Sequence, residues 1–119
     1  MNAEEIIKLN KKALYESLSS SDKFGKFFNK SILHNAAIME VFSCNGLGGI
    51  SYEKLCHSIP KSLGSRSSIQ NLLNEGLDKS LFVKVESDQD KRIKNYFLTE
   101  EFYHMVLDWI KMQKKIYNS

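Results

Sequence analysis

The stretch SRSSIQNLLNEGLDKSLFVKVESDQDKRIKNYFLTEE, from Ser65 to Glu101, decides the fold of this chain. Its first part has apolar residues at helical spacing and predicts a helix over about residues 65–79. Two alternating segments follow on either side of a charged loop, which predicts a β-hairpin. Thr99 then begins a new helix, because its hydroxyl can cap the first turn and two glutamates follow it.

The predicted helix over residues 65–79 has two different faces. Its inner stripe is apolar and consists of Ile69, Leu72, Leu73 and Leu77. Its outer face is rich in groups that both donate and accept hydrogen bonds, namely Ser67, Ser68, Gln70, Asn71 and Asn74. Such a face is typical of an ordinary solvated helix, and equally of a helix that enters a DNA groove.

The predicted hairpin has a basic tip. In its first strand, one face is predicted to be buried because Leu81, Val83 and Val85 alternate with Phe82, Lys84 and Glu86. In its second strand, over about residues 93–98, we expect Phe97 to face inward and Tyr96 to be more exposed. The segment 91–94, at the end of the connecting loop, holds three cations within four residues: Lys91, Arg92 and Lys94. This segment is either a solvated loop or a contact for phosphates.

A shorter helix and a tight turn precede the long helix. Ser51 is expected to cap a helix of about two turns, and Pro60 ends it because the residue before a proline avoids helical geometry. A turn over residues 61–64 then completes a helix-turn-helix pattern. The glycine-rich segment 45–49 predicts another turn rather than a phosphate-binding loop, since it lacks the GK[ST] sequence and a preceding strand.

Helices are predicted on both flanks of this motif. Apolar spacing indicates one helix over residues 3–20, with Ile6, Ile7, Leu14 and Leu18 inward, and a connection over residues 19–22. A largely buried helix follows over about residues 27–43, after an aromatic cluster. The closing helix has more apolar side chains than one side needs: Met105, Leu107, Trp109, Ile110, Met112 and Ile116.

We therefore expect a mainly α single domain over residues 1–119 with a small β-hairpin. Its parts are N-terminal helices over 1–44, the helix-turn-helix and hairpin over 50–99, and a C-terminal helix over 99–117. Apolar residues make up 42% of the chain, which suffices for a folded core. The net charge of +3 permits a nucleic-acid partner without requiring one.

The remaining chemistry-bearing residues predict neither an enzyme nor a metal site nor a cofactor. His34, His57 and His104 are too far apart to form a ligand pair, and no nucleophile motif is present. Cys44 and Cys56 are expected to be small buried thiols in a reducing cytosol. The sequence has no signal-peptide pattern and no long apolar stretch, so we expect a soluble, cytoplasmic protein without a membrane partner.

The order of these elements and the residues that mark them resemble the winged-helix core of MarR-type bacterial transcriptional regulators. The resemblance covers about residues 50–102. It rests on four pieces in order: Ser65-Arg66-Ser67-Ser68, Leu73 with Leu77, Asp90-Lys91-Arg92, and Leu98-Thr99-Glu100. The chain departs from the family at two places where a glycine is usual, since it has Ser80 before the hairpin and Phe102-Tyr103 after it.

The resemblance implies a sequence-specific regulator that binds double-stranded DNA, with the long helix in the major groove and the hairpin on the backbone or minor groove. The DNA-contacting residues would be Ser65, Arg66, Ser67, Ser68, Gln70, Asn71, Lys91, Arg92 and Lys94. Asp90 would brace the hairpin. The resemblance also implies a homodimer through the N- and C-terminal helices.

Two alternatives stay open. A winged helix can serve as a protein–protein interaction module without reading DNA, because fold alone does not fix function. The chain can also be a ligand-responsive regulator, with a small-molecule effector in an aromatic pocket near Phe24, Phe27, Phe28 and Trp109. These aromatic residues are equally expected in an ordinary core.

Overall fold

The computed structural model describes residues 2–19 and 23–118. The elements are α1 Ala3–Ser19, α2 Lys23–Phe28, α3 Ile32–Cys44, β1 Ile50–Ser51, α4 Tyr52–Ser58, α5 Arg66–Asp78, β2 Phe82–Glu86, β3 Lys94–Leu98 and α6 Glu100–Tyr117. This order confirms a mainly helical chain with a helix-turn-helix and a hairpin between flanking helices. The predicted connection over residues 20–22 and the side chains of Leu18 and Tyr117 lie outside the described part.

The prediction of one helix over residues 27–43 is wrong, because the segment forms two helices. The Ser31 side chain accepts from the backbone N–H of His34 and caps α3, so the chain leaves the helix before it. The aromatic cluster therefore lies on its own short helix, α2. The expected burial of α3 is only partly found, since Ile32 is 73% exposed while Ala37 and Ile38 are fully buried.

The core is built around phenylalanines from three elements. Phe27 of α2 packs edge-on against Phe82 of β2, with ring centroids 5.7 Å apart. Phe102 of α6 lies 5.5 Å from Phe24 in a stacked pair and 6.2 Å from Phe27. Such ring pairs add to the stabilisation that burial provides. Phe102, at a position where the resembled family usually has glycine, thus fills the centre of this core.

The sheet has one strand more than the predicted hairpin and the opposite face inward. Its order is β1-β3-β2, all antiparallel, with Ile50 opposite Tyr96 and Phe82 opposite Leu98. Phe82 and Tyr96 lie on the buried face, at 2% and 4% exposure. The sequence-based assignment was therefore wrong for the second strand, because it placed Phe97 inward and Tyr96 more exposed, whereas Phe97 is half-buried. In the first strand, Val83 and Val85 are exposed.

The physical reason lies in the residue before β2. Leu81 is fully buried, but it precedes the strand, and its carbonyl accepts from the backbone N–H of Thr99. The two-residue alternation therefore starts at Phe82 rather than at Leu81. Beyond Phe82 the strand extends past the core, so its valines face solvent.

The join between α5 and β2 is a tight helix end. The N–H of Leu81 donates to the carbonyl of Gly76, and the N–H of Ser80 donates to that of Leu77. This pair of bonds is the Schellman motif, which requires a left-handed residue after the helix, and Ser80 has φ 59°. Ser80 is the position where the resembled family usually has a glycine.

The helix-turn-helix forms as predicted. Ser51 caps α4 by accepting from the N–H of Lys54 at 3.2 Å. After Pro60, a single 3₁₀ turn at Lys61–Leu63 leads to α5. The predicted glycine-rich turn is also present, and its Asn45 side chain accepts from the N–H of Leu98, which ties this turn to β3.

The outermost helices carry exposed apolar side chains. On α1, Ile7 is 64% exposed and Leu14 is 41% exposed, so the expected inward stripe is wrong at these two positions. Within the described residues, no helix combines the length and apolar character needed to cross a membrane. Cys44 and Cys56 are free thiols, and both are half-buried rather than fully buried as expected.

Candidate nucleic-acid interface

Serine side chains organise the start of α5. Ser65 accepts from the backbone N–H of Ser68 at 3.1 Å and thereby caps the helix. Its hydroxyl also lies 3.1 Å from that of Ser67 and 2.9 Å from that of Ser68. All three residues are exposed. Hydroxyls that rotate to donate or accept can contact phosphates or base edges at such a helix start.

Arg66 lies at the same end of α5 and is held by α4. Its Nη2 forms an ion pair with the Glu53 carboxylate. The Tyr52 ring lies under the guanidinium, with 5.3 Å between its centroid and Cζ, and the Tyr52 hydroxyl donates to the Arg66 carbonyl at 3.0 Å. The hydrogen bond and the charge of Glu53 raise the pKa of Arg66, so it stays cationic.

The amide side chains continue the polar face along α5. Gln70 donates through Nε2 to Oδ1 of Asn74 at 3.1 Å, one helical turn further on. Asn71 is exposed, while Gln70 is half-buried. An amide can pair with an adenine edge through its donor and acceptor together. Reaching a base through Gln70 would therefore compete with its bond to Asn74.

Asp90 and Arg92 form a closed unit at the hairpin tip. Arg92 donates from its backbone N–H and from Nε to Oδ1 of Asp90, at 3.0 and 3.2 Å, and from Nη2 to Oδ2 at 3.1 Å. These bonds lower the pKa of the Asp90 carboxyl. The Arg92 side chain is nevertheless 91% exposed. The guanidinium is thus oriented by Asp90 and still open to a partner.

The two lysines of the tip differ in their surroundings. Lys94 donates to the Glu86 carboxylate at 2.7 Å and to the carbonyl of Lys91 at 3.3 Å. Lys91 is exposed on the loop. Because Glu86 offsets the charge of Lys94 and Asp90 offsets that of Arg92, Lys91 contributes most to the positive field of the tip.

A cluster around Glu75, which the sequence did not reveal, fixes the opposite side of α5. The Glu75 carboxylate accepts from Lys30 at 2.6 Å, from His34 Nε2 at 3.0 Å and from Lys79 at 3.0 Å. Partial burial raises the pKa of Glu75, but these bonds outweigh it and lower the pKa to about 2. The sequence signal for it was a glutamate five residues after Gln70, between the apolar positions Leu73 and Leu77.

The three histidines do not form a metal site. His34 also bonds to the Ser31 hydroxyl through Nδ1 at 2.7 Å, so both of its ring nitrogens have partners. Across residues 2–19 and 23–118, no three His, Cys, Asp or Glu side chains come together in a way that could hold a metal ion. His34 therefore acts as a structural link between α3 and α5.

Known structures share the arrangement of these elements. Neither a protein-family model nor a curated protein matches the sequence. The chain is similar to MepR of S. aureus in a DNA complex, with a TM-score of 0.64 and 16% identity over 93% of this chain and 84% of that one. FabT of Streptococcus pneumoniae, also solved with DNA, gives 0.59 and 16% over 98% and 79%. MepR bound to ethidium bromide gives 0.59 and 15% over 99% and 76%.

The chain has the winged-helix fold of MarR-type regulators. In this fold α4 and α5 form the helix-turn-helix, and β2, β3 and their loop form the wing. The second helix of the motif is named the recognition helix, and we use that name for α5. The fold predicted from the four sequence pieces is confirmed. The transcriptional regulator PA4135 is also similar, with a TM-score of 0.53 and 14% identity over 99% of this chain and 80% of that one.

Proposed function

We propose that this chain is a sequence-specific regulator of transcription that binds double-stranded DNA in the cytoplasm as a single winged-helix domain. The observation that carries the proposal is the joint exposure of the recognition-helix start and the wing tip, each with an arginine oriented by a carboxylate. The similarity to structures solved with DNA supports it. The protein-interaction alternative lacks an observation of this kind.

The proposed contacts divide between the two regions. On the recognition helix, Ser65, Arg66, Ser67, Ser68, Gln70 and Asn71 would lie in the major groove. On the wing, Lys91, Arg92 and Lys94 would contact phosphates or the minor groove, with Asp90 orienting Arg92. Phosphate contacts release counterions, so affinity should fall steeply as salt rises.

Selection of bound duplexes from a random pool tests the proposal. We expect the selected duplexes to share a consensus sequence. The logarithm of the binding constant for that sequence should fall linearly with the logarithm of the salt concentration. A protein-interaction module would give neither a consensus nor salt-dependent duplex binding, and this outcome would refute the proposal.

Substitution of the wing arginine tests the site. Arg92→Ala should weaken binding to the selected duplex about 10-fold and reduce the salt slope by about one, because one phosphate contact is lost. Its melting temperature should change little, because Arg92 is almost fully exposed. Lys26→Ala on α2 removes the same charge elsewhere and should bind normally. Equal affinities of the two variants in a gel-shift assay would contradict the wing assignment.

We also propose a homodimer through the N- and C-terminal helices. Exposed apolar residues on α1 and α6 support it, among them Ile7, Leu9, Leu14, Tyr15 and Met112. A two-fold dimer would present two recognition helices to successive major-groove sites about 34 Å apart. The selected sequence should then be a palindrome or pseudo-palindrome.

An effector site is a second candidate function, favoured by one cleft. A cleft of about 430 Å³ lies between α1, α2 and α6, and Phe24, Phe28, Trp109 and Met112 are among its lining residues. Phe27 belongs to the core instead. Since MepR was solved with ethidium bromide, ethidium is a suitable probe. Quenching of Trp109 fluorescence by ethidium, lost in Leu14→Phe, would support this site, and unchanged fluorescence of the wild-type protein would count against it for this ligand.

A further inference from the structure

Arg66 is restrained on three sides although its side chain is 56% exposed. Glu53 accepts a hydrogen bond from Nη2, the guanidinium lies over the Tyr52 ring, and the Tyr52 hydroxyl donates to the Arg66 backbone carbonyl. Both restraining residues come from the first turn of α4, which is itself capped by Ser51. The restraint therefore joins the two helices of the helix-turn-helix.

These contacts change what the arginine can bind. A guanidinium has five N–H donors in a flat fork, so one amine can bond to Glu53 while the other edge stays free. The carboxylate also offsets the positive charge locally and would repel a phosphate that approached Nη2. The attraction of Arg66 to the phosphates of the DNA backbone is thus reduced. Its remaining N–H groups can still form the directional hydrogen bonds that a base edge needs.

We propose that Arg66 reads a guanine in the major groove and that Glu53 and Tyr52 are positioning residues that favour this base contact over a phosphate contact. The inference rests on the proposed DNA-binding function. Guanine is the base that fits, because its O6 and N7 acceptors accept the paired donors of an arginine. A guanidinium already held in place loses less side-chain freedom on binding.

The experiment compares variants on the duplex selected by the wild-type protein and on duplexes in which each G·C pair is replaced by A·T in turn. Arg66→Ala should lose about 10- to 100-fold in affinity for the selected duplex and become indifferent to one G·C pair. Glu53→Gln should lower the preference for that same pair about 3- to 10-fold. It should also raise affinity for unrelated duplexes, because the arginine is then free to reach phosphates.

Glu4→Gln on α1 is the matched control, since it removes the same charge far from α5 and should keep the wild-type preference. Thermal melting of each variant establishes that it is folded. If Glu53→Gln instead weakens every duplex by the same factor, or leaves the preference unchanged, the positioning role is refuted. If Arg66→Ala weakens all duplexes equally, Arg66 is a phosphate contact. Failure of the wild-type protein to select any duplex would instead overturn the proposed function itself.

Discussion

Two single residues set the geometry of the recognition helix and the wing: Glu75 within α5, and Ser80 just after its end. Ser80 holds a left-handed conformation so that the chain can leave α5 and enter β2 at once. The Glu75 carboxylate accepts hydrogen bonds from Lys30, His34 and Lys79. It thereby links α5 to α3 and to the segment that precedes α3. Neither residue belongs to the proposed DNA contacts, yet both determine where those contacts lie.

Ser80→Gly should stabilise the protein by about 0.5–1 kcal/mol, because a side chain is disfavoured at positive φ and glycine is not. Urea unfolding monitored by circular dichroism measures the change. Ser58→Gly, at the end of α4, should instead cost roughly 0.5 kcal/mol. A loss of stability in Ser80→Gly would show that the Ser80 side chain contributes more than its backbone strain costs.

Glu75→Gln should lower the free energy of unfolding by about 1–3 kcal/mol at pH 7. The pKa of Glu75 lies below its unfolded value of 4.5 and is about 2 in the fold. Its stabilisation is therefore complete above pH 4.5 and is lost as the pH falls toward 2. The gap between wild type and Glu75→Gln should shrink over that range.

Urea titrations at pH 7, 5 and 3 measure this gap. Glu86→Gln breaks an exposed ion pair with Lys94 and should change stability by less than about 0.5 kcal/mol. A pH-independent difference for Glu75→Gln would mean that its carboxylate charge is not the stabilising feature.

At the scale of elements, the packing of α5 against β2 joins the recognition helix to the wing. Gly76 lies inside α5, and a Cβ atom at this position would overlap the ring of Phe82. The absence of a side chain lets the phenylalanine lie directly on the helix, and Phe82 then reaches Phe27 of α2. A glycine in the middle of a helix often marks a place where another side chain packs closely against the helix. Gly76 was therefore the sequence signal for the close contact between α5 and β2.

Gly76→Ala should destabilise the protein by about 1–3 kcal/mol, because the added methyl group forces Phe82 or the helix to move. Gly46→Ala is the control, since nothing lies within 4 Å of a Cβ there. Thermal unfolding of both variants measures the difference. Equal melting temperatures would mean that the α5–β2 contact adjusts without cost.

At the scale of the whole molecule, the chain is elongated, with extents of 50 × 27 × 26 Å. The winged-helix core is compact, and α1 and the later turns of α6 lie outside it. These helices expose apolar side chains, such as Ile7 and Tyr15, that a monomer leaves in water. Burial against a second copy would remove this apolar surface from water.

Light scattering should give twice the 13.7 kDa of one chain at micromolar concentration. Ile7→Glu should shift the protein toward the monomer, because a charge at a dimer interface loses its hydration. Ile32→Glu on α3 is the control, since Ile32 is exposed but lies outside α1 and α6. A monomer mass for the wild-type protein would contradict the dimer.

Local patterns in the sequence determined which elements form and in what order. The caps at Ser51 and Thr99 were identified correctly, because a cap depends on residues within one helical turn. The helix-turn-helix, the hairpin and the closing helix followed from these caps, from Pro60 and from apolar periodicity. The candidate residues at the start of α5 and at the wing tip could also be named from the sequence, because their positions follow from where these local elements begin and end.

Only the tertiary structure decided which faces are buried and which side chains meet. The inward face of β2 depended on Leu81 being buried before the strand, and the break before α3 depended on a cap at Ser31 within an apolar stretch. The partners Glu53 and Arg66, and Glu75 and His34, are far apart in the sequence. Apolar periodicity depends on residues that are close along the chain, whereas these contacts depend on how whole elements pack against each other. That packing orients Arg66, the proposed DNA-binding arginine of the recognition helix.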